Sequence, residues 1–498
     1  MNFNRSLIFV LPLICLGLWL QPQAGPVVYP YLQNLSEDSV ELYWTSTHKT
    51  PVEVSWGKKR SVSQARPAPE LAYHPVEQQD FPELKDAPTK YLHRATLSGL
   101  KPGQKVSYTV HFPAAPYQNS FRTLPSRQGS VRLIAFADSE TEPESTGNPA
   151  RWGTENEPKR RYLVDQTDGF RAHLAAIADR RPDALLIAGD LVESGGEQRD
   201  WDEFWKQTGR LAGSIPLLPC PGNHEYYAGP KHGTYTDDGS RWAIDKYRGY
   251  FHPKGSEKAP HYYSQDLGPA VLLSLDSGNG RPHGGHADTN HYLKGADFTE
   301  DFHEGSAQYM WLESQLEKAQ SSGKFSIVMF HHCPYSSGGH GHAPGPKGHE
   351  TDPQSGQPLR ELTPLFMRYG VDLVLSGHDE MFERSEIRGL QTLPDGRKVP
   401  HSIQFYDVGV AGDGLRSPDR VNEWSKFLAY RDSQEIWKDD VLMEGGRHYG
   451  HLEIDVQPTP TGWRAELRPV YILPRKTTKG WTFERKLYTD VVKLSSEV

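Results

Sequence analysis

Five short stretches of this 498-residue chain carry side chains that hold cations and move protons: Asp138, Gly189-Asp190, Gly222-Asn223-His224-Glu225, His331-His332 and Gly377-His378. Carboxylate oxygens, an amide oxygen and imidazole nitrogens are the donors that bind divalent or trivalent ions. Two ions sharing a bridging carboxylate meet both needs of phosphoester hydrolysis, because they lower the pKa of a bound water and clamp the charge that builds on the phosphoryl oxygens. Asp190 is the bridging candidate: it ends an apolar run behind Gly189, which allows close backbone approach. Asn223 offers a neutral oxygen. His224 beside it can give a proton or a hydrogen bond to the phosphate or the departing oxygen. His332 and His378 complete a nitrogen and oxygen site for one ion, and Asp138 begins the site of the other. His224 and Asp190 are thus the catalytic candidates.

The text that positions these residues changes character near Pro125. From about Pro26 to Pro125 the sequence is β-like, with alternation over Ser39 to Trp44, Val52 to Trp56 and Lys105 to Phe112 and turn residues between. Trp44, Trp56, the Leu97 to Gly103 turn and Tyr108 resemble a fibronectin type III sandwich, in which such aromatics are core. After Pro125 strands and helices alternate. Apolar strands are expected over Val131 to Ala137, Ala184 to Ala188, Phe325 to Phe330 and Val371 to Leu375. Helices are expected over Tyr162 to Arg180, after a Ser306 cap, and up to Tyr369-Gly370. Each polar stretch then lies at the carboxyl end of a strand, where α/β sheets place their ligands. Tyr226 to Glu304 and Ser336 to Gly356 read as long loops walling a cleft. From Tyr406 onward, His451 to Val456 and Trp463 to Tyr471 read as strands of a second sheet.

A chain of this length exceeds one core, so two or more domains are expected. The formal net charge of −8 gives no basic footprint, which argues against duplex nucleic acid as a partner. Arg5, the apolar run Leu7 to Leu20 and the small residues Ala24-Gly25 read as an export signal over residues 1–24, hence a secreted or periplasmic protein with no stable membrane span after its removal. The plainer alternative is a retained anchor. Of the three cysteines, Cys15 falls in this run; Cys220 and Cys333 suffice for one bridge or remain two buried thiols.

Asp138, Gly189-Asp190, Gly222-Asn223-His224-Glu225, His332-Cys333-Pro334 and Gly377-His378 follow, in order, the blocks of the calcineurin-like metallophosphoesterases, which the chain resembles. The nearest branch is the purple acid phosphatases, which place a fibronectin-like domain ahead of the catalytic one. Their last block typically reads Gly-His-x-His, then an aromatic and Glu-Arg; here it is Gly377-His378-Asp379-Glu380-Met381-Phe382-Glu383-Arg384. The resemblance implies an α/β fold: an N-terminal sandwich over residues 26–126, then a four-layer αββα domain over residues 130–498. It also implies a two-metal centre held by Asp138, Asp190, Asn223, His332, His378 and Glu380.

Three positions depart from the family. Glu380 stands where a second His is usual, Asp138-Ser139-Glu140 where Asp-x-His or Asp-x-Gly is common, and Glu193 where the purple enzymes have the Tyr that colours their iron. No purple colour is expected. An almost wholly carboxylate first site suits Mn, Mg, Ca or Fe, and the second suits Zn or Fe. Glu140 and Glu193 stand between ligand, supporting residue and solvated loop. Side chains alternate along a strand, so only one of His331 and His332 should face the cleft; the His-x-Pro spacing selects His332 and leaves His331 as core or as a support behind the ligands. His283, His286, His340, His342 and His349 are either phosphate contacts or loop polarity, and Glu383-Arg384 reads as a structural ion pair.

The expected activity is that of a secreted, acid phosphatase-like phosphomonoesterase acting on a phosphorylated small molecule through hydroxide held at the two metals. A phosphodiesterase or nucleotide pyrophosphatase shares the same blocks. The reading from another class is a cell-surface binding protein with a decayed metal site. Against it, both changed positions replace one ligand type by another.

Overall fold

The computed structural model describes residues 25–144, 166–254, 261–279, 284–293, 299–412, 416, 418–429, 436–438, 441–444, 449–477 and 480–496. The expected export signal and His283 lie outside them. Alternation in the first hundred residues gives two four-stranded antiparallel sheets. One orders Val28–Gln33, Ser39–Ser46, Tyr91–Ser98 and Gln64–Pro67; the other orders Lys59–Val62, Glu53–Trp56, Lys105–Val110 and Tyr117–Arg122. Trp44, Trp56 and Tyr108 are buried between them, Trp44 stacked on His93 at 5.2 Å. The aromatics are core, as their spacing implied.

The second part is built on two seven-stranded sheets. The first orders Leu217–Pro219, Ala184–Ile187, Val131–Phe136, Tyr449–Thr459, Gly462–Thr477 and Gly480–Leu487, with Val492–Ser495 also paired to Gly462–Thr477. The second orders Tyr263–Asp266, Ala270–Ser274, Phe325–Met329, Leu373–Ser376, Lys398–Val408, Phe382–Thr392 and Ser425–Leu428. The strands leading to the polar stretches pair in parallel with one another in each sheet, and Val131–Phe136 pairs antiparallel with Tyr449–Thr459 on its other side. Leu133, Ala135 and Leu186 of one sheet share a core with Ile327, Met329 and Leu375 of the other. Helices Gln166–Arg180, Gln198–Ala212 and Asp237–Tyr250 pack through Phe170, Phe204 and Ile244 on the outer face of the first sheet, and Ala307–Ser322 and Thr363–Tyr369 through Leu312 and Phe366 on that of the second. This is the αββα order expected. Ser306 caps its helix, its hydroxyl accepting from the Tyr309 N–H at 3.1 Å, and Gly370 ends the next in left-handed conformation.

Tyr226 to Glu304 is more ordered than a loop. It holds the helix Asp237–Tyr250, capped by Thr236, and the antiparallel pair Tyr263–Asp266 and Ala270–Ser274. The helical period rests on few apolar residues, Ala243, Ile244, Tyr247 and Tyr250, set among Gly, Asp and Arg, so polarity hid it. Cys220 and Cys333 are both free and buried, which resolves the bridge in favour of two thiols.

The sandwich rests on two outer helices. The Tyr31 ring lies 4.3 Å from that of Trp205, and Tyr31 Oη and Gln33 Nε2 both donate to the Tyr250 carbonyl, at 3.0 and 2.6 Å. Trp205→Ala is expected to cost about 3–5 kcal/mol, the usual range for emptying a buried aromatic site, read as a lower transition in calorimetry. Just before Leu373–Ser376, the middle strand of the second sheet, Asp372 accepts from the Ser326 N–H and hydroxyl, at 2.8 and 3.0 Å. Burial pushes its pKa up to about 7 although those hydrogen bonds lower it. The folded state therefore keeps a proton that the unfolded chain releases near pH 4. The stability this lends is complete below that pH and lost as pH rises through about 7. Asp372→Asn should remove this loss, seen as a flatter profile of unfolding free energy from pH 5 to 8.

Candidate metal centre

Every polar stretch begins just past the end of a strand: Asp138 after Val131–Phe136, Asp190 after Ala184–Ile187, Asn223 after Leu217–Pro219, His331 after Phe325–Met329 and His378 after Leu373–Ser376. The chain turns so sharply there that non-glycine residues take left-handed backbone. φ is +58° at Asp138, +36° at Glu140, +52° at Asp190, +80° at His378 and +48° at Glu380. Such conformations cost about 1–3 kcal/mol each and persist where their surroundings hold them. Gly189, at φ +94°, is required: a Cβ there would run into the His331 ring and lie 2.9 Å from the Gly222 Cα. A Cβ on Gly222 would in turn meet the Asp190 carboxylate.

Around Asp190 the donors converge. His331 Nε2 lies 2.9 Å from Asp190 Oδ2, 2.8 Å from Asn223 Oδ1 and 3.1 Å from His378 Nδ1. The outer nitrogens fix the tautomers. His331 Nδ1 donates to the Ala188 carbonyl at 2.8 Å and His378 Nε2 to the Gln354 carbonyl at 2.7 Å. With neutral rings, both inner nitrogens present lone pairs. Burial would lower the His331 pKa, yet Asp190 and Asp138 hold it up to about 9, so without a cation its Nε2 keeps a proton toward Asp190. With that proton displaced, two imidazole lone pairs, a carboxylate and an amide oxygen face one another, a set that a cation at their centre satisfies. These residues fit a metal ion.

Asp138, Glu140 and Asp190 form a second convergent group, their oxygens within 4.8 Å of one another. The His378 N–H donates to both Asp138 oxygens, at 3.1 and 2.9 Å. Burial pushes Asp138 well above the usual carboxylate range; His331 pulls it down, and Asp190 and Glu380 push it up again. Burial acts the same way on Asp190, but the His331 and His224 imidazoles bring it down to about 2. Three carboxylates this close and this dry also call for positive charge.

His224 leads into a third group with Glu140 and Glu193. Its Nδ1 donates to the Glu193 carbonyl at 2.6 Å, its Nε2 lies 3.8 Å from Glu140 Oε1, and its backbone N–H donates to Asp190 Oδ1 at 2.9 Å. Burial would lower its pKa, yet Asp190 and Glu193 hold it up to about 9. It therefore carries a proton at neutral pH beside the carboxylates.

Three assignments change. His331, read as core or support, is the histidine inside the first convergent group, whereas His332, read as the ligand, turns its Nδ1 to the Ser277 hydroxyl at 3.0 Å. The strand ends at Met329, so alternation no longer governs the pair, and both rings lie near His378, at 4.8 and 4.5 Å. Glu380 belongs to none of the three convergent groups found among the described residues; its Oε1 pairs with Arg416 at 2.5 Å. Glu383 and Arg384 do not pair with each other. Glu383 accepts from Ser337 and Asn422, and Arg384 forms a fork with Asp490, because adjacent strand residues point to opposite faces. Of the loop histidines, His340 stacks on His378 at 3.8 Å, His342 faces Asp419 at 3.3 Å, and His349 is exposed.

Several functional residues had no assigned role in the sequence. Glu225 binds the Asp190, Leu191 and Gly222 N–H groups, at 3.0, 2.9 and 2.7 Å, and so ties two of the five stretches together. Its place inside the Gly-Asn-His-Glu stretch was a signal. Tyr235 accepts from Gln354 Nε2 at 3.0 Å and stacks on Tyr292, so the two long segments meet over Asn223. Glu225→Ala strands three buried N–H groups at about 1–3 kcal/mol each. The expected result is at least tenfold weaker metal retention under chelator challenge in a protein that keeps its far-ultraviolet dichroism.

Residues 163–380 match the Calcineurin-like phosphoesterase family. The chain is 27% identical over 470 residues to an uncharacterised protein of Mycobacterium tuberculosis, spanning 85% of this chain and 81% of that one. It is 27% identical over 350 residues to human acid phosphatase type 7, spanning 68% and 67%. An Arabidopsis thaliana relative, 24% identical over 83% of this chain and 65% of its own length, is named a probable inactive purple acid phosphatase. A purple acid phosphatase from yellow lupin seeds superposes with a TM-score of 0.62 over 95% of this chain and 74% of its own, at 19% identity, which shows the same fold. Among the described residues no helix is long and apolar enough to cross a membrane. By these likenesses the chain resembles the calcineurin-like phosphoesterases over residues 163–380 and the purple acid phosphatases in fold, which supports a metal-dependent hydrolase of phosphoric esters.

Proposed function

We propose that the protein is an exported phosphomonoesterase whose site binds two metal ions about Asp190. The observation that carries this is the cluster of ligand-type atoms formed by Asp190, Asn223, His331 and His378, adjoining the carboxylates of Asp138 and Glu140. Bound there, two ions would acidify a water and neutralise charge on the phosphoryl oxygens. Asp190 lies between the two groups and is the bridge. Asn223, His331 and His378 hold one side, and Asp138 with Glu140 the other. His224, with its proton held by Asp190 and Glu193, gives that proton to the departing oxygen.

The cleft wall supports a monoester. Tyr235, Tyr292, His340 and Gln354 close over the histidine side of the site through ring stacking and the Gln354 to Tyr235 hydrogen bond, a covered wall that favours the smaller monoester. Export is supported by the apolar run behind Arg5. The test is hydrolysis of an aryl phosphate monoester and the matching diester by protein loaded in turn with Mn, Fe, Zn, Ca and Mg. Turnover of the monoester at least tenfold above the diester, lost in Asp190→Asn, is expected. Faster diester cleavage would make the protein a phosphodiesterase, and no cleavage above Asp190→Asn with any metal would leave a binding protein.

A further inference from the structure

Two adjacent histidines enter the site, and the hydrogen atoms around Ser277 give them different work. Ser277 follows the strand Ala270–Ser274, outside all five motif stretches. Its Oγ accepts from the backbone N–H of His331 and of His332, both at 3.2 Å, and lies 3.0 Å from His332 Nδ1. A hydroxyl has two lone pairs and one proton. Backbone N–H groups only donate, so they occupy both lone pairs, and the one proton goes to His332 Nδ1. That nitrogen is then the acceptor, and the proton of the neutral ring sits on Nε2. The opposite holds in His331 and His378, whose carbonyl partners take the outer proton and leave the inner nitrogen bare.

We infer that His332 is a hydrogen-bond donor to the phosphoryl group and not a metal ligand, and that Ser277 is the positioning residue that makes it so. This rests on the two-metal reading of the site. An N–H cannot ligate a cation through the nitrogen that bears it, but it can bind an oxyanion. His332 is fully buried, and its Nε2, on a ring 4.5 Å from that of His378, has no hydrogen-bond partner among the described residues. A buried N–H left without an acceptor costs about 1–3 kcal/mol, which a phosphoryl oxygen reaching it would recover.

Ser277 is held firmly enough to impose this choice. Its carbonyl accepts from Thr289 Oγ1 at 2.6 Å. Its neighbour Asp276 takes hydrogen bonds from Tyr226, His261 and the Gly278 N–H, while its own N–H and carbonyl engage Gln308. Tyr226 directly follows Glu225, so the network joins the Asn223 stretch to the histidine pair from a strand end that contributes no ligand.

The test combines metal counting, nitrogen-15 spectra of ring-labelled histidine, and kinetics on an aryl phosphate. Wild type should bind two equivalents of metal and show His332 protonated on Nε2, and His331→Ala should lose one equivalent. His332→Ala should keep both while kcat/KM falls about 10²-fold, as for removal of one oxyanion donor. His332→Gln, which carries an N–H of similar reach, should recover at least tenfold of that loss. Ser277→Ala should move the His332 proton toward Nδ1 and lower kcat without changing metal content; Ser277→Thr should restore both. The inference falls if His332→Ala loses an equivalent of metal, if it loses none and keeps full kcat/KM, or if wild-type His332 is protonated on Nδ1. A wild type that binds no metal would instead refute the reading on which the inference stands.

Discussion

His331 Nε2 meets Asp190, Asn223 and His378 within hydrogen-bonding distance, and with the His331 and His378 rings neutral no proton donor lies between these four groups. Such a contact needs positive charge at its centre, supplied by a proton on His331 or by a cation that displaces it. The parallel strands aim five stretches of chain at one point. The left-handed residues Asp138, Asp190 and His378 turn the chain back before it leaves the cleft. Gly189 and Gly222 remove the side chains that would keep the stretches apart. Glu225, itself pushed up to about 7 by burial and by Asp190, clasps the backbone that carries Asp190.

The positions that depart from the familiar pattern shift charge without dispersing the site. Glu380 turns to Arg416, so a guanidinium stands at the edge of the carboxylate side. Glu140 takes a place beside Asp138 and Asp190, and Glu193 closes around His224 instead of supplying a phenolate. The result is a centre richer in carboxylate oxygen on one side than on the other. Hard cations are favoured by the oxygen side, while the imidazoles of His331 and His378 suit a borderline ion.

The sandwich, the αββα layering and the ligand-bearing strand ends were legible in the sequence because each rests on local pattern: period-two alternation, apolar runs of strand length, and a polar residue where the run stops. What was illegible depends on geometry beyond the strands. On the proposed reading His331 and His332 exchange roles, since the strand ends before them and Ser277, brought from beyond another strand, holds their backbones. Glu380 was assigned by its place in a motif, and its Oε1 meets Arg416, a partner that no motif contains. The helix Asp237–Tyr250 was hidden by the same polar residues that let it line a cleft.

Anomalous X-ray scattering from crystals of metal-loaded protein, collected above and below each metal edge, addresses the central claim directly. Two peaks flanking the Asp190 carboxylate are expected, one within reach of Asn223, His331 and His378 and one against Asp138 and Glu140. A single peak that leaves either group empty, or density for metal only away from Asp190, would contradict the two-metal centre.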